Sequence, residues 1–174
     1  MSRYFITFAM ILVAALSRLL PHPPNFAPIT ALAFFGAVYL DKKHSFLVPL
    51  AAMLISDYFI GFYAGIWWVY TSFIAMGFIG LWLRNHRGVI QTIGATLSGS
   101  ILFFVVTNFG VWISSQVTYP ATVAGLIECY VAAIPFFRNI LLGDAVYVGL
   151  MFGVYELVKK YIPSLKLQPE PLQP

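Results

Sequence analysis

Residues 89–113 read VIQTIGATLSGSILFFVVTNFGVWI, a run without one charged side chain. A helix crossing the hydrocarbon core of a bilayer needs about 20 predominantly apolar residues, within a range of roughly 17–25. This stretch meets that requirement alone, and it predicts a transmembrane helix. Working outward from it, four apolar segments precede it at about 4–20, 26–40, 46–62 and 66–83, and one follows at about 139–161.

Composition supports the same reading. The chain of 174 residues is 60% hydrophobic and 9% charged, with a mean hydropathy of +0.85. Soluble domains carry roughly 25% charged residues. No ordinary soluble fold has enough interior to hide this much apolar surface, so lipid must be the main solvent. We therefore expect an all-α integral membrane protein. Residues 1–162 would form a single transmembrane domain, a six-transmembrane-helix bundle. Residues 119–137 are apolar but bracketed by Pro120 and Pro135. About 14 residues between prolines is short for a crossing, so this segment predicts a short interfacial or re-entrant helix before the last span. Residues 163–174 are rich in proline and polar residues, and they predict a short disordered cytoplasmic tail.

Orientation follows from lysine and arginine. Arg3 precedes the first segment, Lys42 and Lys43 join the second to the third, and Arg84 and Arg87 join the fourth to the fifth. Lys159, Lys160 and Lys166 close the chain. With six crossings all of these fall on one side, the cytoplasmic one, together with both termini. The other side keeps only Arg18 and Arg138. The net charge of +4 is thus a topology signal, and no nucleic-acid partner is expected. Arg3, the apolar run and Ala15-Leu16-Ser17 together resemble a secretory signal. Arg18 and the prolines after it read instead as a helix-ending turn, so we expect the segment to be kept as the first span.

Ionisable groups inside lipid cost about 2.5–3.5 kcal/mol each on insertion scales, so their positions are informative. Arg18 ends the first segment, Asp57 lies near the end of the third, Asn108 near the end of the fifth, and Asp144 about two turns into the last. Arg138 and Asn139 start that last segment, where a helix N-terminus and an arginine together favour anions. Asn25 lies in the rigid connection Pro21–Pro28. All of these fall in the outer half of the predicted bundle, near Trp67, Trp68, Trp112 and Tyr130. The one-sided cluster predicts a substrate-binding pocket open to the outer side, with aromatic walls and a few polar anchors. Its mixed charges fit an amphoteric or modestly anionic solute. The competing reading is structural: Arg18 and Arg138 would pair with Asp57 and Asp144 to stitch helices together. Small residues spaced four apart (Ala33/Ala37, Gly94/Ser98, Ala95/Gly99 and Gly149/Gly153) predict close helix packing.

Several chemistries lack their motifs. There is no HExxH, no P-loop and no GxSxG, and His22, His44 and His86 lie on different loops, so they cannot share one metal. The single cysteine, Cys129, excludes an intramolecular disulfide and any multi-cysteine site. Its thiolate is a conceivable cobalt ligand, against the ordinary reading of a small apolar cysteine in packing. We expect no cofactor, no metal and no enzyme activity. An intramembrane enzyme is the weaker alternative. Asp57 and Asp144 formally mimic an aspartyl dyad, but Leu141 stands where intramembrane aspartyl proteases have glycine.

The runs Ala27-Pro28-Ile29-Thr30-Ala31-Leu32-Ala33-Phe34-Phe35-Gly36 and Val48-Pro49-Leu50-Ala51-Ala52-Met53-Leu54-Ile55-Ser56-Asp57 resemble spans two and three of the S components of energy-coupling-factor (ECF) transporters. Thr107-Asn108-Phe109-Gly110-Val111-Trp112 and the run from Ala133 to Asp144 resemble a small uncharacterised family of bacterial membrane proteins. The resemblance implies a bacterial inner membrane location and a small six-helix protein. Such a protein binds a vitamin or similar nutrient from outside and delivers it by toppling against a transmembrane coupling subunit with ATPases. One feature departs from that pattern. Many S components carry Ala-x-x-x-Ala on the first span, whereas here Ala9 is followed by Val13 and Ala14 by Arg18. The nearest equivalent is Ala33/Ala37. The expected function is uptake of a vitamin-like or other small nutrient. The alternative is a non-transporting scaffold subunit of a membrane complex.

Overall fold

Apolar segments with few charges can satisfy their backbone in lipid only by bonding within themselves, which makes the helix the outcome for an open chain. The computed structural model describes residues 3–114 and 117–162. Among these it holds helices α1 (Arg3–Ser17), α2 (Ile29–Tyr39), α3 (Leu47–Ile60), α4 (Ile66–Asn85), α5 (Val89–Ser114) and α6 (Val123–Tyr161), and no strand. By length and composition α4, α5 and α6 are long and apolar enough to cross a membrane; α1, α2 and α3 are shorter apolar helices.

The core is built around α2. Its eleven residues are apolar all round, and Thr30 to Tyr39 are all buried, as expected of a helix with no polar face. It packs chiefly on α4, with α6 and α1 alongside. The approach to α4 depends on Gly80, where an added Cβ would lie 2.6 Å from the Ala37 Cβ. The predicted Ala33/Ala37 face is therefore consumed inside this chain. An aromatic group closes the other side: Phe35 and Tyr39 of α2 meet Phe152 and Tyr155 of α6, with Tyr39 and Tyr155 centroids 4.0 Å apart. By contrast, a Cβ at Gly149 or Gly153 would meet nothing within 4 Å.

The segment boundaries shift for local reasons. The first ends at Ser17, whose hydroxyl donates to the Ala14 carbonyl at 2.7 Å. The second begins only at Ile29, after the prolines. The third stops at Gly61, which sits at φ +99, a conformation open to glycine. The main correction concerns residues 119–137. No separate interfacial or re-entrant helix precedes the last span. Instead α6 runs 39 residues without a break, with Pro135 inside it. The helix starts where the Thr122 hydroxyl accepts the Gly125 N–H at 3.1 Å. Pro135 costs one ladder bond, about 3 kcal/mol in a helix interior. Ending the helix there would strand four carbonyls and, at the next start, four N–H groups in apolar surroundings. The proline ring also faces outward, so nothing in the core forces a break. At about 1.5 Å per residue, α6 is about 58 Å long, nearly twice the roughly 30 Å hydrocarbon core. The expected tail, residues 163–174, lies outside the described residues.

The helices run between two ends. One carries the proline-rich connection after α1, the α3–α4 turn and the approach to α6; we call it the proline-loop end. The other, the lysine-loop end, carries the α2–α3 and α4–α5 turns. There Tyr4 donates to Asp41 at 3.5 Å and Tyr39 donates to Glu156 at 3.0 Å.

Candidate functional site

At the proline-loop end α1 stops and Arg18 reaches across to α3. Its Nη2 donates to Asp57 Oδ1 and its Nη1 to the Ser56 hydroxyl, each at 2.6 Å. The second Asp57 oxygen accepts the Tyr70 hydroxyl from α4, also at 2.6 Å. The two charged side chains are 8% and 1% exposed. One ion pair thus joins three helices, and both carboxylate oxygens are used. The structural reading of Arg18 and Asp57 holds for this pair.

Beside the pair lies a cavity of about 410 Å³, within the range of small-molecule sites. Arg18 presents one edge to it, while Asp57 stays behind. Trp68 of α4 forms a wall, and its seat explains Gly110 of α5: a Cβ there would fall 2.2 Å from the indole Cγ. Asn108 and Phe103 of α5 and Asp144 of α6 face the same space, as do Asn25 and His22 from the proline-rich connection. Asn25 holds a φ of 63°, in the left-handed region that asparagine tolerates better than most side chains. Tyr63, on the turn between α3 and α4, also lines the cavity. Burial, together with the Asp57 carboxylate, raises its phenol above the usual range, so it stays a neutral hydroxyl.

Asp144 is 2% exposed. Its Oδ2 accepts the Ser100 hydroxyl at 2.5 Å, and the Thr30 hydroxyl is a further polar neighbour. It belongs to none of the ion pairs Arg18–Asp57, His44–Asp41 and Lys159–Glu156. Arg138, the expected partner, is exposed and belongs to none of them either. Asp57 and Asp144 are held by different partners, and no hydrogen bond joins them.

The other predicted site residues lie off the cavity wall. Trp67 points away, 76% exposed. The Trp112 indole donates to the Pro120 carbonyl at 2.9 Å, and Tyr130 donates to the Val105 carbonyl at 2.7 Å. Asn139 donates to the Pro24 carbonyl at 2.9 Å. These three side chains tie the approach to α6, and α6 itself, to α5 and the proline-rich connection. Cys129 is buried, with its thiol 3.5 Å from the Asn108 carbonyl. No group of three potential metal ligands exists among the described residues. Sequence reasoning missed Ser100, Ser56 and Tyr63. A serine in a spanning helix bonds back to its own turn so readily that sequence gives it no address.

A second crevice, of about 630 Å³, opens toward the lysine-loop end between α5 and α6. It is lined mostly by apolar side chains, with Arg87 and Glu156 at its end. Ser100 lies on its wall and Asp144 on the wall of the first cavity, so the Ser100–Asp144 bond stands between the two.

Residues 1–165 match a family of unknown function, DUF6580. No curated protein and no solved structure matches the chain.

Proposed function

We propose, from the premise that this chain belongs to the DUF6580 family of unknown function, that it is a membrane-embedded substrate-binding uptake protein for a vitamin-like or other small nutrient. In this reading the chain sits in a bacterial inner membrane as a six-span bundle, with both termini cytoplasmic and the proline-loop end facing out. The observation that carries it is the cavity at that end, where Trp68, Asn108 and Asp144 converge from three helices. The lysines and arginines gathered at the opposite end support the orientation. The short α1, α2 and α3 fit six crossings because each connects the same two ends. The sequence resemblance to S components agrees, and it supplies a coupling subunit with ATPases as partner.

The test is purification in mild detergent, followed by native mass spectrometry and a thermal-shift screen against vitamins, their precursors and cobalamins. A ligand that raises the melting temperature, and loses at least tenfold in affinity in Asn108→Ala, supports the reading. A ligand-free spectrum with no shift across the panel refutes it.

One observation favours a second reading, a non-transporting scaffold subunit. The crevice between α5 and α6, with Gly149 and Gly153 open beside it, would seat a helix of another subunit. Stoichiometric co-purification with one large partner, and no ligand-dependent stabilisation, would select it.

A further inference from the structure

The side chains around the cavity carry few charges, and most are already compensated. Arg18 is paired with Asp57 at 2.6 Å. The His22 ring shares its Nδ1 contact with the Pro23 carbonyl at 3.0 Å. Tyr63 is neutral, and Asn25, Asn108 and Thr30 carry no charge. Asp144 faces the same cavity and belongs to none of the ion pairs Arg18–Asp57, His44–Asp41 and Lys159–Glu156. It is 2% exposed, so water screens it little. A carboxylate at such depth keeps its charge only when a positive charge meets it, and otherwise takes up a proton.

The hydroxyls around Asp144 do not supply that charge. Ser100 lies 2.5 Å from Asp144 Oδ2 and 3.0 Å from the Thr96 carbonyl. A serine hydroxyl has one proton to donate, so it cannot serve both acceptors at once. Even with Ser100 and Thr30 both donating to it, the carboxylate keeps lone pairs unused, since it can accept about four hydrogen bonds. The aromatic rings of Trp68 and Phe103 stand on the same walls, and ring faces attract cations.

We propose that the ligand of this cavity is a small organic cation with an apolar or aromatic body, whose positive nitrogen meets Asp144. This rests on the uptake reading and names its substrate class. It also reverses the expectation of an amphoteric or modestly anionic solute. That expectation counted Arg18 and Arg138 as available cations, whereas the first is neutralised and the second lies off the wall. A volume of about 410 Å³ leaves room for one ring and an ammonium group.

The test uses the purified full chain in detergent and four probes of one shape: benzyltrimethylammonium, benzylamine, benzyl alcohol and benzoate. Calorimetry and thermal shift give affinity and stabilisation for each. We expect both ammonium probes to bind at least tenfold more tightly than the alcohol, and benzoate to bind weakest. In Asp144→Asn, which keeps an oxygen to accept from Ser100, the cations should lose at least tenfold while the alcohol is unchanged. The charge series on the unaltered chain stands whether or not that variant folds. Benzoate or the alcohol binding as tightly as the cations would overturn the cation assignment and leave the uptake reading intact. So would a neutral or anionic nutrient that binds when none of the four probes does, or cation binding indifferent to Asp144→Asn. If no probe and no nutrient binds, both readings fall together.

Discussion

Replacing Asp57 by alanine should cost this protein about 3–5 kcal/mol of stability. The change removes a carboxylate that accepts Arg18 and Tyr70, each at 2.6 Å, and strands an arginine side chain that is only 8% exposed. Breaking one member of a buried pair costs about that much, because the surviving charge is left uncompensated. The Tyr70 hydroxyl loses its acceptor too, adding about 1 kcal/mol. The double change Arg18→Met with Asp57→Leu removes both charges and should cost far less, about 0–2 kcal/mol, since paired apolar replacement is often nearly neutral. The assay is reversible unfolding in mixed micelles by titration with dodecyl sulfate, followed by tryptophan fluorescence. A loss under about 0.5 kcal/mol in Asp57→Ala, the size of an ordinary surface change, would refute the reasoning. So would a double variant no more stable than the sum of its two single changes.

Three further outcomes are expected. Trp68→Ala should weaken whatever ligand the screen finds by at least tenfold, while Trp67→Ala leaves affinity unchanged; equal effects would show that the cavity is not the site. Gly110→Leu forces its side chain into the space of the Trp68 ring, which a bare Cβ already approaches to 2.2 Å. It should lower stability by about 1–3 kcal/mol, as overpacking does, and a variant that unfolds like the parent would contradict the close approach of α4 and α5. The Cys129 thiol, 2% exposed, should resist maleimide in the folded protein and react after denaturation, and mass spectrometry reads the difference directly.

The apolar run of α5 announced its helix because nothing in it competes with that reading. Likewise, the polar residues that mark the proline-loop end were visible because each is costly in lipid. What stayed hidden depends on rotation and on partners. Trp67 and Trp68 are neighbours in sequence, yet about 100° of helical turn separates them, and one faces out while the other walls the cavity. With apolar residues on all faces of α4, no periodicity could choose between them. The pairing of Arg18 with Asp57, and the absence of an Arg138–Asp144 pair, were equally open, since charge alone does not fix distance. Pro135 misled for a thermodynamic reason. A proline is read as a stop in water, where freed carbonyls find solvent, whereas in apolar surroundings continuing the helix costs less than ending it.

The burial of α2 has an electrical consequence. Its eleven residues rise about 16 Å, roughly half of a 30 Å hydrocarbon slab. In a bilayer, the polar backbone entering at Pro28 or leaving at Leu40 lies below the level of the lipid headgroups. If water follows that polar backbone to both ends of α2, the insulating layer along the bundle axis is about half the thickness of the surrounding membrane. A resting voltage dropped over about 16 Å would then give close to twice the field felt by the neighbouring lipid. A unit charge crossing that thin layer would still collect the full 2.3 kcal/mol per 100 mV.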